Sequence, residues 1–301
     1  MRKVGIVGLG DMGIGMARNL LKNGFELSGY DLRPERLTEL ASLGGRPAPD
    51  GRQVAENSDA VFVMVLNGQQ VHDVVLGESG LLEGLRPGAT IIVSATIHPS
   101  EVRALEQPVY EKRVNLIDTP VSGGKPGAEN GTLTLMVAAK KDVFDDNLEI
   151  LEAVGKNIFH VGEEIGLGQT VKASLQALIG STFTAIFESL VLGVKAGVKA
   201  ETLYEVIGSS GVSSSLFLNC AKLIMERRFR GTGSHIGTMY KDLGISMNMA
   251  KENGVAMFTA SAAFELFQAG ISLYPDEDNW CIVKLLEQIA GAEVRKEQPE
   301  E

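Results

Sequence analysis

KVGIVGLGDMGIGMARNLL, residues 3–21, decides how this chain is read. A short apolar run suited to a β-strand (residues 3–8) leads into Gly8, Gly10 and Gly13 at GxGxxG spacing, and an amphipathic helical pattern follows at once. Each glycine has its own task in such a turn. Gly8 permits the tight bend, Gly10 lets backbone approach a pyrophosphate, and Gly13 lets the helix pack closely on its strand. Asp11 and Met12 fill the same helix start, so their backbone belongs to the cofactor cradle. The helix N-terminus adds free N–H groups and a partial positive charge. A ligand-free glycine turn is the plain alternative, and the flanking strand and helix argue against it. Asp31 closes the next apolar run, where a carboxylate can accept from both ribose hydroxyls of an adenosine. This favours NAD; NADP is the alternative, because Arg33 could offset the repulsion between Asp31 and a 2′-phosphate.

Strand-like runs continue at 26–31, 60–66 and 90–94 with helical patterns between them, and further runs lie at 114–117, 132–138 and 157–160. Such alternation predicts an α/β fold, a Rossmann-type doubly wound sheet over residues 1–162. After Gly162 the apolar spacing turns helical at 169–197, 200–208, 214–227, 238–253 and 256–270. A long interdomain helix and an all-helical C-terminal domain over 163–292 are expected, the part to which the family resemblance given below assigns substrate binding and oligomerisation. Residues 293–301, rich in Glu, Lys and Pro, are expected to fray.

With 301 residues, 44% of them hydrophobic and 22% charged, the chain has the composition of a well-buried globular protein. A net charge of −10 argues against nucleic acid or an anionic membrane as partner, since both need a concentrated basic surface. The longest apolar run, 185–198, is interrupted by Glu188 and Lys195, so no membrane span is expected. The apolar strand pattern that starts at residue 3 makes a secretory leader unexpected, and Cys220 and Cys281 are far apart, which fits free thiols and an expected cytoplasmic location. His72, His98, His160 and His235 show no metal-ligand spacing, and neither a GxSxG elbow nor a GxxxxGK loop occurs.

Further site candidates follow from position. Ligands of open α/β sheets bind at the carboxyl edge, which points to Leu66 and Asn67 after one strand and to Thr96 after another. Thr96 suits either a hydrogen bond to cofactor or substrate, or the N-cap of a helix near Pro99. DTPVSGGKPGAENGTLTLM, residues 118–136, is a polar glycine turn between strands; Ser122, Gly123 and Gly124 would expose backbone N–H groups to a carboxylate, and a plain hairpin loop is the alternative. In GLGQTVKASLQ, residues 166–176, Lys172 and Gln176 share a helix face. A lysine desolvated beside a cofactor is suited to proton transfer, although most helical lysines are solvated. Lys241 and Asp242 form either a surface ion pair or, through Lys241, a contact to nicotinamide or substrate carboxylate.

Taken together, GIVGLGDMGIGMARNL, DTPVSGGKPGAENGTLTLMV, GLGQTVKASLQ and YKDLGI resemble the four landmark motifs of the 3-hydroxyisobutyrate dehydrogenase-like, or β-hydroxyacid dehydrogenase, family, over about residues 2–290. The resemblance implies NAD(P)-dependent oxidation of the hydroxyl of a small 3-hydroxy acid to an oxo acid or semialdehyde, in a homodimer or homotetramer. It makes Lys172 the catalytic general acid/base and Ser122, Gly123 and Gly124 the substrate-carboxylate turn. Thr96 falls in the cofactor and substrate loop, and Lys241 lies beside the nicotinamide. The family usually carries Asn three residues after the lysine, where this chain has Leu175; only Gln176 keeps an amide there. Lys125 in the substrate turn would suit a more anionic acid, or points to solvent. The hydroxyls of GSSGVSSSLF, residues 208–217, favour threonate-type or tartronate semialdehyde substrates. Two rivals remain: a catalytically silent dinucleotide-binding scaffold, and a reductase of an imine or of a phosphorylated sugar acid held by Arg227, Arg228 and Arg230.

Overall fold

The computed structural model describes residues 2–297, which form two compact units divided after Lys172. The first contains β1 (Lys3–Val7), α1 (Asp11–Lys22), β2 (Glu26–Tyr30), α2 (Pro34–Ser42), β3 (Arg46–Pro47), α3 (Gly51–Glu56), β4 (Ala60–Val63), α4 (Gly68–Leu76), α5 (Leu81–Gly84) and β5 (Thr90–Val93). It continues through α6 (Pro99–Arg103), α7 (Glu106–Glu111), β6 (Asn115–Asp118), β7 (Val121–Ser122), α8 (Gly124–Asn130), β8 (Leu133–Ala138), α9 (Lys141–Val154) and β9 (Gly155–Gly162). α10 (Leu167–Lys195) runs across the division between the units, which falls after Lys172. The reason is physical: the first turn of α10 is tied to the sheet by side-chain hydrogen bonds described below.

The sheet has the order β3-β2-β1-β4-β5-β6-β8-β7, with β9 paired to β8. From β3 to β6 all neighbours are parallel, which is the doubly wound dinucleotide order. Its strands are buried on both faces, so they read as continuous apolar runs such as Ala60–Val63 rather than as alternating ones. Two apolar layers result: Ile6, Phe62 and Ile92 pack with α1 and α9 residues, while Val61, Val63 and Ile91 pack on the other face with Val71 and Val102. The order reverses between β1 and β4, the switch point at whose carboxyl edge open sheets of this kind bind ligands.

In the second unit, α11 (Ala200–Gly208), α12 (Ser215–Met225), α13 (Ile236–Glu252), α14 (Phe258–Leu273) and α15 (Val283–Ala290) join the rest of α10 around Phe187, Phe267 and Trp280. The expected helices are present with ends shifted by a few residues, and no strand is named here among the described residues. α15 escaped the sequence reading because its apolar spacing merges with the polar tail. By length and composition α10 could cross a membrane, contrary to the expectation from 185–198; its Phe183, Phe187 and Leu190 are instead buried in the unit's core.

The tail is corrected as well. Val294 is fully buried, its N–H donates to Glu287 Oε1, and the Glu297 N–H donates to Glu201. Residues 293–297 are therefore docked rather than frayed, and 298–301 lie outside the described residues. Arg227 holds this corner through a two-pronged pair to Glu287, at 2.6 and 2.9 Å, and Arg230 pairs with Glu277. Arg228 pairs with Glu226 at 3.7 Å, so all three arginines of this stretch have carboxylate neighbours.

Candidate active site

Gly8 has φ +93°, and a Cβ there would stand 2.3 Å from the Met64 carbonyl oxygen. At Gly13 a Cβ would stand 1.9 Å from the Gly8 carbonyl oxygen, so α1 presses directly on the turn. Gly10 differs. Its notional Cβ meets nothing closer than Arg33 Nη2 at 3.7 Å. α1 starts on Gly10 without a side-chain cap, so its first N–H groups await an acceptor. An open cradle before uncapped N–H groups is what a pyrophosphate requires, and these residues fit a dinucleotide.

Asp31 stands at the end of β2 as expected. It accepts the Leu9 N–H at 2.7 Å and the Arg33 N–H and Nε at 2.9 and 3.1 Å. Burial alone would raise its pKa, but the Arg33 and Leu9 hydrogen bonds outweigh that and hold the carboxyl below the usual range. Asp31 is therefore an anion at neutral pH. Asp11 faces Arg36 at 2.9 Å and Lys125 Nζ at 4.0 Å. The cation that the sequence offered to an anionic substrate thus lies beside the cofactor turn.

Further along the edge, Leu66 is 68% exposed after β4, and Asn67 caps α4 by accepting the Gln70 N–H. Asn67 Oδ1 therefore has a structural task, and Leu66 offers the apolar surface. Thr96 is not the cap of α6, because His98 takes that position and accepts from Ser100, with Glu101 closing the box. Gly123 and Gly124 have φ of +127° and +58°, values that L side chains rarely adopt, so the Ser122–Gly124 turn depends on glycine. It opens α8 rather than a plain hairpin loop. α8 in turn is locked to α1: a Cβ on Gly15 would stand 2.8 Å from the Ala128 carbonyl carbon. Asn19 Nδ2 donates to the carbonyls of Gly15, Ala128 and Glu129 at 2.8 to 3.1 Å. Cofactor helix and glycine turn are thus one rigid piece. Asn19→Leu is expected to leave the Ala128 and Glu129 carbonyls without that donor and lower stability by roughly 1–3 kcal/mol, measurable by urea unfolding.

Lys172 is 6% exposed, the reverse of a solvated helical lysine. One turn before it, Gln169 is also buried; its Nε2 donates to Ala95 O at 3.0 Å and to Asp118 Oδ1 at 2.9 Å, and its Oε1 accepts from the Ile97 N–H. Residues 95–97 flank Thr96, so the start of α10 is pinned to the loop after β5. Asp118 Oδ2 accepts the Gly166 and Gln169 N–H groups at 2.9 and 3.2 Å. Burial pushes this carboxyl up to about 6, against the opposing pull of those hydrogen bonds. In the second unit, Gln176 Nε2 donates to buried Asp242 Oδ2 at 2.6 Å, and Lys241 Nζ lies 2.8 Å from Oδ1. The Lys241–Asp242 pair is therefore not a surface pair, because Asp242 is 3% exposed.

A domain family described as the NAD binding domain of 6-phosphogluconate dehydrogenase matches residues 3–162, and one described as NAD-binding of NADP-dependent 3-hydroxyisobutyrate dehydrogenase matches 166–286. The chain belongs to the 3-hydroxyisobutyrate dehydrogenase-like, or β-hydroxyacid dehydrogenase, family. Among its relatives, a 2-(hydroxymethyl)glutarate dehydrogenase of Eubacterium barkeri is 36% identical over 97% of both chains. An L-threonate dehydrogenase of Cupriavidus necator is 32% identical, covering 94% of this chain and 96% of the other. A solved 3-hydroxyisobutyrate dehydrogenase from Salmonella typhimurium superposes with a TM-score of 0.87 at 30% identity, over 95% of this chain and 100% of the other. This member of the family is an NAD(P)-dependent oxidoreductase.

In this β-hydroxyacid dehydrogenase the motifs single out the glycine turn, Asp31, the Ser122–Gly124 turn and Lys172. They missed the polar residues that hold these parts. Asp118 ends an apolar strand with an acid, and Gln169 precedes Lys172 by one helical turn; both positions are readable, but nothing local shows that they meet. Asp242 was read only as half of an ion pair.

Proposed function

We propose that this chain reversibly oxidises the hydroxyl of a small 3-hydroxy acid to the oxo acid or semialdehyde, with Lys172 as the proton-exchanging group. The observation that carries the reading is a lysine 6% exposed on the helix face pinned to the carboxyl edge of a dinucleotide-type sheet. Bound NAD(P) supplies the hydride acceptor. Loss of a hydride from the carbinol carbon must be matched by loss of the hydroxyl proton. Desolvation favours the neutral form of an amine, the form able to take that proton. The Ser122–Gly124 turn holds the substrate carboxylate on backbone amides that no side chain covers, and Thr96 orients the cofactor or substrate end of the crevice. Asp31, kept ionised by Arg33 and Leu9, favours the free ribose hydroxyls of NAD.

Similarity to enzymes named for 2-(hydroxymethyl)glutarate and L-threonate supports an acid with more than one polar group besides the reacting hydroxyl. The test is a panel of 3-hydroxy acids, including these two, 3-hydroxyisobutyrate and L-serine, supplied with NAD and NADP separately and followed by absorbance of the reduced cofactor. Turnover on a polyfunctional acid with NAD is expected. Tight binding of reduced cofactor with no turnover across the panel would favour the silent scaffold instead.

We also infer a homodimer or homotetramer. In the second unit, Leu178 and Phe258, 66% and 87% exposed, border a groove of about 410 Å³ and leave an apolar surface open to water. Sedimentation equilibrium decides the number of copies. Two buried free thiols, Cys220 and Cys281, support a reducing location such as the cytoplasm.

A further inference from the structure

Asp118 poses a physical question. It is a fully buried carboxylate that accepts from N–H donors: Gly166, Gly168 and Gln169 from the backbone, and the Gln169 side-chain amide. Of the charged groups, Arg103 on α6 brings its Nη1 within 2.7 Å of a notional Gly166 Cβ, and Lys172 stands one turn after Gln169 along α10. Because burial raises its pKa above the ordinary value of 3.8 to about 6, the contribution of Asp118 to folding is complete below about 4 and is lost as pH rises through about 6. At neutral pH the fold therefore carries the charge at a cost in stability. Buried groups held against their own solvation preference cluster at functional sites.

The geometry shows what the charge holds. Backbone N–H groups of Gly166, Gly168 and Gln169 converge on Asp118, and the Gln169 amide presents Nε2 to Asp118 and, with the same nitrogen, to Ala95 O. Its Oε1 is then turned to the Ile97 N–H at 3.1 Å. The amide orientation is thus set by Asp118 and read by the backbone on both sides of Thr96. Gly168 completes the fit, since a Cβ there would stand 2.5 Å from Met136 O and 2.8 Å from Asp118 O. Lys172 follows Gln169 on the same helix face, about 4.5 Å further along the axis. Side chains on a helix lean toward its N-terminus, so the Lys172 side chain extends back over this turn.

We propose that Asp118 and Gln169 are positioning residues for the reaction: together they lock the start of α10, and with it Lys172, in register with the loop carrying Thr96. The inference rests on the reading of Lys172 as the proton-exchanging group. Protonated Asp118 would bring a hydrogen against donors that cannot accept it, and the Gln169 amide would lose the reason for its orientation. An amide at position 118 does the same at every pH.

Asp118→Asn tests this, with Gln169→Met as the second variant should the first fail to fold; folding is checked by circular dichroism and thermal melting. Misplacement of a reacting group by about 1 Å can cost on the order of 10²-fold, so kcat is expected to fall on that scale while affinity for reduced cofactor changes little. The wild-type kcat profile should show an acid limb with a midpoint near 6, and the variant should lack it. Amide exchange at Gln169 and Ile97 should quicken in either variant. A folded variant whose kcat stays within about twofold of wild type, or an Asp118→Asn variant that keeps the same acid limb, would overturn the positioning role. Wild-type turnover is the control: its absence across the panel would reject the hydroxy-acid reading itself, whereas wild-type turnover with an indifferent Asp118→Asn rejects only this inference.

Discussion

Lys172→Ala is expected to lower kcat by about 10²–10⁴-fold, the usual contribution of a positioned general acid or base. Reduced cofactor should still bind with near-native affinity, because the glycine turn, Asp31 and α1 lie elsewhere on the sheet edge and do not depend on this side chain. Removing a 6% exposed lysine also relieves a desolvated group, so the variant should fold. Steady-state kinetics with the best acid of the panel, together with a fluorescence titration of reduced cofactor, separates the two effects. A variant that keeps comparable turnover contradicts the assignment; one that loses cofactor binding in parallel shows that the lysine serves the dinucleotide instead.

The second large effect separates two glycines three residues apart. Gly13→Ala drives a methyl to 1.9 Å from the Gly8 carbonyl oxygen, a backbone atom that cannot swing away. Overpacking commonly costs about 1–3 kcal/mol, and a rigid backbone obstacle puts this case at the upper end. Both melting temperature and cofactor affinity should fall. Gly10→Ala meets only the flexible Arg33 guanidinium at 3.7 Å, so the fold should be retained. Its methyl nevertheless occupies the open cradle, and cofactor affinity should fall by about tenfold or more, equivalent to roughly 1.4 kcal/mol. Equal melting losses in the two variants would mean that the second glycine is structural, and unchanged affinity in Gly10→Ala would place the pyrophosphate elsewhere.

Legibility in the sequence followed the range of the interactions. The longer strands between residues 3 and 160 and five of the helices beyond could be read because apolar periodicity is a local property, whereas the two-residue strands β3 and β7 are too short to show one. Thr96 could not be assigned from its neighbours: cap and ligand contact use the same residue type, and only the His98 box at the start of α6 decides against the cap. α8 was hidden because Gly124, Pro126 and Gly127 are poor helix formers, and the segment is helical through its packing on α1. The tail failed for a related reason. Its composition is that of a frayed end, yet one valine and a few backbone hydrogen bonds to Glu287 and Glu201 suffice to dock it.

The residue order alone determined the dinucleotide turn, the alternation that winds a parallel sheet, and the place of the lysine one turn into the long helix, because each is encoded within about twenty neighbouring residues. Tertiary structure alone decided that this lysine is buried, that Gln169 and Asp118, 51 residues apart, hold its helix to the sheet, and that three arginines are already engaged. Burial and pairing arise from chain segments meeting across long separations, where desolvation and hydrogen-bond satisfaction, not local pattern, select the partner.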